Sequence, residues 1–356
     1  MMPKKVLYVL GVCGAFAACN SDTFTGEDGG ADSSAFDSTA PDVVSSDAAD
    51  AAPVESGPSC SCDSDAGACY GTTCVYPMTT GACLVTAGQY VYWTNGQPVA
   101  GGGAVYRMNV VSKAVELVAN GQQLARGIAT DDGTNVFWTF GGTSGGVMRI
   151  PVSGGTPSKV ADLSDPLVLA VAGHRLYAGQ SNAAVYFVDL QNAGTPKLVD
   201  IGNGTPLFMR VGAAGARVYW TAQVSPTAGN IVSVPTDGGL SRIEYSPTGR
   251  LAGLIPPTSE SVPMYLYVKD NEIDSLLNFP LKVTDAPNAL DLSKDTASYY
   301  WSEQRDAGAI RKLLAGGPAD ASATVAVESN PLCVATLAPS IYWTALGRMI
   351  PGSAPL

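Results

Sequence analysis

Five copies of one short phrase punctuate the chain: Val91-Tyr92-Trp93-Thr94, Val136-Phe137-Trp138-Thr139, Val218-Tyr219-Trp220-Thr221, Tyr299-Tyr300-Trp301-Ser302 and Ile341-Tyr342-Trp343-Thr344. Weaker copies, Leu176-Tyr177-Ala178 and Tyr265-Leu266-Tyr267, fill the two gaps. Tyr92 and Tyr342 are 250 residues apart, so the six intervals average about 42. Strand-forming residues in each copy, glycine turns between them and a period of that length describe the blade of a β-propeller. The expected fold is all-β, a seven-bladed β-propeller. A six-bladed ring is the competing count, because the copy around Tyr267 is degenerate. The 81 residues from Tyr219 to Tyr300 make two periods rather than one, which favours seven.

The second repeat shows how a blade is built. Gly127-Ile128-Ala129-Thr130 reads as a short apolar strand, and Asp131 to Asn135 as a turn of residues that tolerate left-handed geometry. Val136-Phe137-Trp138-Thr139 is the second strand, Val147 to Val152 the third and Ser158-Lys159-Val160-Ala161 a polar edge. The aromatics of each second strand are expected to pack between neighbouring sheets. The last repeat runs out soon after Arg348-Met349-Ile350-Pro351, so Thr73 to Met78 is expected to supply its missing fourth strand and close the ring.

Ahead of the repeats the chain changes character twice. Lys4 and Lys5 precede an apolar run from Val6 to Ala18, too short to span a bilayer and built like a secretory signal. It ends Phe16-Ala17-Ala18-Cys19, which resembles the lipobox of bacterial lipoproteins, with Phe16 where Leu is usual. The resemblance implies lipidation of Cys19 and, with Asn20 rather than Asp following, the outer membrane of a Gram-negative cell. From Asn20 to Ser59 there are nine acidic residues and no Lys, Arg or His among Ser, Ala, Gly and Pro. Such a stretch buries too little apolar area to offset the entropy of ordering, and reads as a disordered tether. The expected organisation is a signal at 1–18, a tether at 19–59, a Cys-rich segment at 60–74 and a propeller at 73–356.

Eight cysteines include Cys13 in the signal and Cys19 at the lipobox, leaving Cys60, Cys62, Cys69, Cys74, Cys83 and Cys333. Six in an oxidising compartment suit three disulfides, whose pairing is open among 15 arrangements. The spacings of Cys60-Ser61-Cys62 and Cys69 to Cys74 match no common zinc pattern. Cys83 lies ten residues before Trp93 and Cys333 ten before Trp343, the same place in the first and last blades. Ring closure makes those blades neighbours, so a Cys83–Cys333 bridge would lock the propeller. The alternative is that each bonds into the Cys60–Cys74 cluster.

Without the signal the chain carries 31 acids against 18 bases, and nine of the acids lie in the tether. The propeller is mildly acidic with no basic stripe, which argues against nucleic acid as a partner.

The Tyr-Trp-Thr strand, the Gly-Gly-x-Pro turn and the acidic tether together resemble uncharacterised bacterial lipoproteins with propeller domains. More distantly they resemble the Tyr-Trp-Thr-Asp propellers of lipoprotein receptors. Where those have Asp after Thr, this chain has Asn95, Phe140, Ala222 and Ala345, so that Asp's role does not carry over. The resemblance implies fold and surface location; propellers host many unrelated functions.

Signs of catalysis are sparse. His174, the only histidine, sits in a turn, and a Ser-His-Asp triad or His-rich metal site is not expected. No cofactor is expected: Asp63-Ser64-Asp65 and Asp131-Asp132 could help ligate calcium, but neither has a full ligand spacing, and both read as solvated turns. Propeller geometry places the loops entering each first strand on the same face as those joining second and third strands. Candidate ligand residues there are Arg126, Asp165, Arg210, Asn288 and Asn330, joined by Asn95, Gln180, Gln223, Asp270 and Glu303. Arg126 and Arg210 occupy similar points in their blades, where two cations could draw an anionic ligand. The favoured function is a monomeric, non-catalytic surface propeller that binds an envelope or extracellular protein or glycan through this face and meets the membrane only through its lipid. The alternative is a propeller enzyme, a lyase or quinoprotein-like oxidoreductase, working from the central channel. Convergent titratable groups in the channel would favour the enzyme.

Overall fold

The computed structural model describes residues 67–356 apart from 71, 79–81, 98–101, 132, 143, 193, 213–215, 258–263 and 278. The chain divides into Met1–Ser59 and Cys60–Leu356, and every described residue belongs to the second unit. The signal, Cys19, the acidic stretch, Cys60, Cys62 and Asp63-Ser64-Asp65 lie outside the described residues, as does Asp132.

Seven antiparallel sheets follow one another along the chain, six of four strands and a last one of three. Their first strands are Leu84–Ala87, Ile128–Thr130, Pro166–Ala172, Thr205–Val211, Leu251–Ile255, Ala289–Lys294 and Pro331–Leu337. Each touches the first strand of the next sheet, and Pro331–Leu337 meets Leu84–Ala87, so the seven close around one axis. This is a seven-bladed propeller, and the six-bladed count falls. The interval from Tyr219 to Tyr300 does hold an extra blade, Leu251 to Asp285.

The second strands carry the repeated phrase: Tyr90–Asn95, Asn135–Phe140, Arg175–Gln180, Arg217–Ser225, Tyr265–Lys269, Ser298–Glu303 and Ser340–Ala345. Successive side chains on a strand face opposite ways, so an adjacent Tyr-Trp pair serves two interfaces at once. Tyr92 of blade 1 shares a buried cluster with Trp138 of blade 2, Tyr177 of blade 3 with Trp220 of blade 4, and Tyr300 of blade 6 with Trp343 of blade 7. In the weak copies Ala178 and Tyr267 take the Trp position: Ala178 packs in the cluster of Phe137, and Tyr267 in that of Tyr219. Trp93, Trp138, Trp220 and Trp301 are wholly buried. Burial of a large apolar side chain contributes roughly 1.5–3 kcal/mol, which makes the phrase the main cement between sheets.

The Thr or Ser that ends the phrase has a separate task. In four copies its hydroxyl accepts from an N–H in, or one residue ahead of, its own first strand: Cys83 N to Thr94 (3.0 Å), Gly127 N to Thr139 (2.9 Å), Asp291 N to Ser302 (3.2 Å) and Cys333 N to Thr344 (3.2 Å). Four of the five hydroxyls donate to a carbonyl in, or two residues ahead of, the next blade's first strand. Thr94 reaches Arg126 O at 2.8 Å, Thr221 reaches Ala252 O at 2.9 Å, and Ser302 reaches Leu332 O at 2.6 Å. Thr344 reaches Ala82 O at 3.0 Å and so ties the last blade to the first. Blades 3 and 5 have Gly179 and Val268 at this position and no hydroxyl to give.

Closure differs from the expectation in one respect. Blade 7 takes its third strand, Gly352–Pro355, from the C-terminal end of the chain and gains no fourth. Thr73–Val75 pairs instead with Ala68–Tyr70 in a separate hairpin, in which Cys69 stands opposite Cys74 and both are disulfide-bonded. The segment after that hairpin joins the ends in another way: Met78 and the Gly347–Arg348 turn exchange backbone hydrogen bonds of 2.7 and 2.9 Å. Cys83 and Cys333 form the expected bridge, with Cα atoms 5.1 Å apart, inside the range of bridged cysteines.

Thr221→Val and Thr344→Val keep side-chain volume but orphan buried backbone groups. Each is expected to lower unfolding free energy by about 1–3 kcal/mol in urea titrations, whereas exposed Thr156→Val should change it by well under that.

Candidate functional site

Two regions compete for function: the loop face at which first strands begin, and the channel that the first strands enclose. The loop face owes its shape to backbone conformation. Every blade from the second to the seventh enters its first strand through a residue of positive φ: Leu124 (51°), Asp165 (44°), Gly204 (106°), Gly249 (111°), Asn288 (55°) and Asn330 (47°). Asp and Asn tolerate that conformation better than other side chains that bear a Cβ. The carbonyls of Asp165, Asn288 and Asn330 accept from Ser181, Gln304 and Leu346, each just past its own blade's second strand. Three candidate ligand residues therefore have a structural reason to be Asp or Asn. Asp270, at φ 53° in the turn after Lys269, likewise receives the Arg250 N–H on its carboxylate at 2.8 Å.

Asn95, Gln180 and Glu303 are not surface groups as expected; all three are buried. They end their second strands, one residue past the hydroxyl position, and the strand alternation turns their side chains inward. Asn95 Nδ2 donates to Tyr76 O and Pro77 O at 3.0 and 3.1 Å, which seats the incoming chain. Glu303 accepts from Trp301 Nε1 and pairs with Arg305 at 3.1 Å. Gln223, half-buried, receives Leu251 N at 2.9 Å and donates to Ala228 O at 3.0 Å, so it serves the joint between blades 4 and 5.

Arg126 and Arg210 do not form a cationic pair. Arg126 stays on the loop face, 3.6 Å from the Asp165 carboxylate. Arg210 lies inside strand Thr205–Val211 and reaches past blade 5 to Asp291 of blade 6, at 3.0 Å. Asp291 is fully buried and also accepts from Leu292 N (2.9 Å) and Val334 N (3.0 Å). Burial pushes its carboxyl above the usual range, against the Arg210 cation and the two N–H groups, which pull it down.

One signal in the sequence points to Asp291. It lies ten residues before Trp301, the offset of Cys83 from Trp93 and of Cys333 from Trp343. The three thus hold equivalent places in blades 6, 1 and 7, and an oxygen of Asp291 and the two sulfurs lie within 4.8 Å of one another. In blades 2 and 5 the same layer holds Gly127 and Gly253. A Cβ there would stand 2.8 Å from Leu167 O or 2.7 Å from Leu292 N, so these strands approach backbone to backbone. Lys294, at the far end of its strand, makes no ion pair among the described residues, and burial lowers its ammonium pKa.

The loop face holds further arginines. Arg305 and Arg348 follow the second strands of blades 6 and 7, the latter 2.7 Å from Glu328, and Arg250 donates to Ala289 O at 3.3 Å. A cleft of about 310 Å³ beside blade 6 is lined by Asp285, Glu303, Arg305, Arg311 and Asp320. It lies away from the channel, and Glu303 engages both of its arginines.

No family model matches the chain, and no curated protein matches it. Solved structures do. Hydrazine synthase of Kuenenia stuttgartiensis is similar at a TM-score of 0.60 and 12% identity, over 78% of this chain and 97% of its own. The β-propeller domain of Cps50 (Swd1) from Myceliophteria thermophila is similar at 0.59 and 10%, over 79% and 99%. A nidogen–laminin complex is similar at 0.44 and 17%, over 69% and 83%. At these identities the first two likenesses show the propeller fold alone.

Arg210→Met strands a buried carboxylate and is expected to cost about 3–5 kcal/mol at neutral pH. A raised native pKa means the folded state holds the Asp291 proton to higher pH than the unfolded chain, so Asp291's own contribution to stability falls as pH rises from about 4 while the folded state's need for the Arg210 cation grows. The defect of Arg210→Met should therefore shrink on acidification and be relieved by Asp291→Leu. At Asn330, Ala is expected to cost about 1–2 kcal/mol and Gly markedly less, as read in the same urea titrations.

Proposed function

We propose that this protein is a non-catalytic binding propeller, held at the cell envelope by a lipid on Cys19, that engages a protein or glycan bearing anionic groups through its loop face. The observation that carries this reading is the contrast between face and channel. Arg126, Arg250, Arg305 and Arg348 project from four blades at the loop face, each in a partly exposed ion pair or backbone contact. Arginine is the cation favoured at interfaces, because its planar fork meets carboxylates and sulfates bidentately. In the channel, by contrast, the Arg210 charge is spent on Asp291 within the protein. The Arg126–Asp165 pair is partly exposed on both sides and contributes little to stability, about 0–1 kcal/mol, while Arg305 and Arg348 present half-exposed guanidinium groups above the buried Glu303 and the largely buried Glu328. The lipobox and the acidic stretch support presentation of such a surface outside the cytoplasm.

Mature protein solubilised in detergent should capture a specific partner from its own envelope extract. Arg126→Ala combined with Arg305→Lys and Arg348→Lys is expected to abolish capture, because the planar forks are lost, while the melting temperature moves by only a few degrees, because Glu303 and Glu328 keep a cation. Lys113→Ala, in a turn on the opposite face, should leave capture intact. Equal capture by the triple variant would remove the loop face as the binding surface.

A further inference from the structure

We infer that the reduced form of the channel bridge is a site for a thiophilic divalent cation, with Cys83, Cys333 and Asp291 as its ligands. Three blades contribute one residue each, from the equivalent position of each first strand, so the ring itself brings the three groups together. Their ligand atoms lie within 4.8 Å of one another, close enough to share one ion after a small adjustment of side chains. Two thiolates with one carboxylate are a donor set that zinc-class ions accept, and a fourth place remains for water.

The electrostatics close as well. Two thiolates and the Asp291 carboxylate carry three negative charges, which the dication and the Arg210 guanidinium, 3.0 Å from Asp291, balance. Asp291 is held for the task by the Val334 and Leu292 N–H groups. Cys83 is only half-buried, whereas Cys333 and Asp291 are buried, so Cys83 is the ligand that solvent reaches.

The chemistry has two steps. A dithiol reductant gives two electrons and two protons to the Cys83–Cys333 bond, which breaks to two thiols while the reductant becomes a disulfide. Binding of the cation then expels the two thiol protons. The site is thus closed while the bridge is oxidised and open when it is reduced. The metal in turn ties blades 6, 7 and 1, which replaces the covalent link between blades 7 and 1 with a coordinate one.

The test uses the full mature chain, reduced with a phosphine under argon, desalted and titrated with Cd²⁺ while thiolate-to-cadmium charge transfer is followed. Cys83→Ser/Cys333→Ser separates this site from thiols released at Cys60, Cys62, Cys69 and Cys74, and is expected to take up one equivalent fewer. Asp291→Asn should weaken that one equivalent by at least about tenfold and spare the others. Independently of any variant, Zn²⁺ should raise the melting temperature of the reduced wild-type chain and leave that of the oxidised chain unmoved. Equal cadmium uptake with and without Cys83 and Cys333, or a reduced wild-type chain whose melting temperature zinc does not shift, would overturn the inference.

Discussion

The hydroxyl at the end of the Tyr-Trp-Thr phrase touches two blades at once. In blades 1, 6 and 7 it accepts from the start of its own first strand and donates to the start of the next, at Arg126, Leu332 and Ala82, and in blade 4 it donates to Ala252. Apolar burial between sheets is strong but not directional, and alone it would let one sheet slide on another. A hydrogen bond from a fixed hydroxyl to a fixed carbonyl sets the offset between blades, and that offset aligns every other layer of the ring. Glycine at positions 127 and 253 follows from it, since the strands on either side arrive without room for a Cβ.

Layer alignment also explains the channel. Cys83, Asp291 and Cys333 meet because each donates its N–H to the Thr or Ser hydroxyl that ends its blade's phrase. A carboxylate buried in such a layer cannot be left alone, and Arg210 supplies its counter-charge from two blades away. The loop face obeys a different constraint. There the chain must turn from an outer strand to the next inner one, and a left-handed residue makes the corner in six blades.

The repeat made the blade legible because its two periods, two residues within a strand and about 42 between blades, are both carried by large side chains. The Cys83–Cys333 bridge was legible for the same reason: equal offsets from a Trp mean equal places in a blade. Asn95, Gln180 and Glu303 were misplaced because the strand continues one residue past the Thr, and a polar side chain at that end looks like the start of a loop. Arg210 was misplaced for a related reason: nothing local announces a partner 81 residues away. The fourth strand offered to blade 7 by Thr73 to Met78 failed because its own cross-strand pairing with Ala68–Tyr70 claims that segment first.

The position of the bridge has a mechanical consequence. Cys83 lies just inside the point where the chain enters the ring, beside Asn95 and the Gly347–Arg348 turn, and Cys333 lies in the last blade. A pull on the chain ahead of Ala82, set against a load on blade 7, would pass from Cys83 to Cys333 through one covalent bond. The residues between them, which make up nearly the whole propeller, lie on a parallel branch that bears little of the tension. Such a load would leave the blades unextended, as a hook carries weight through its shank.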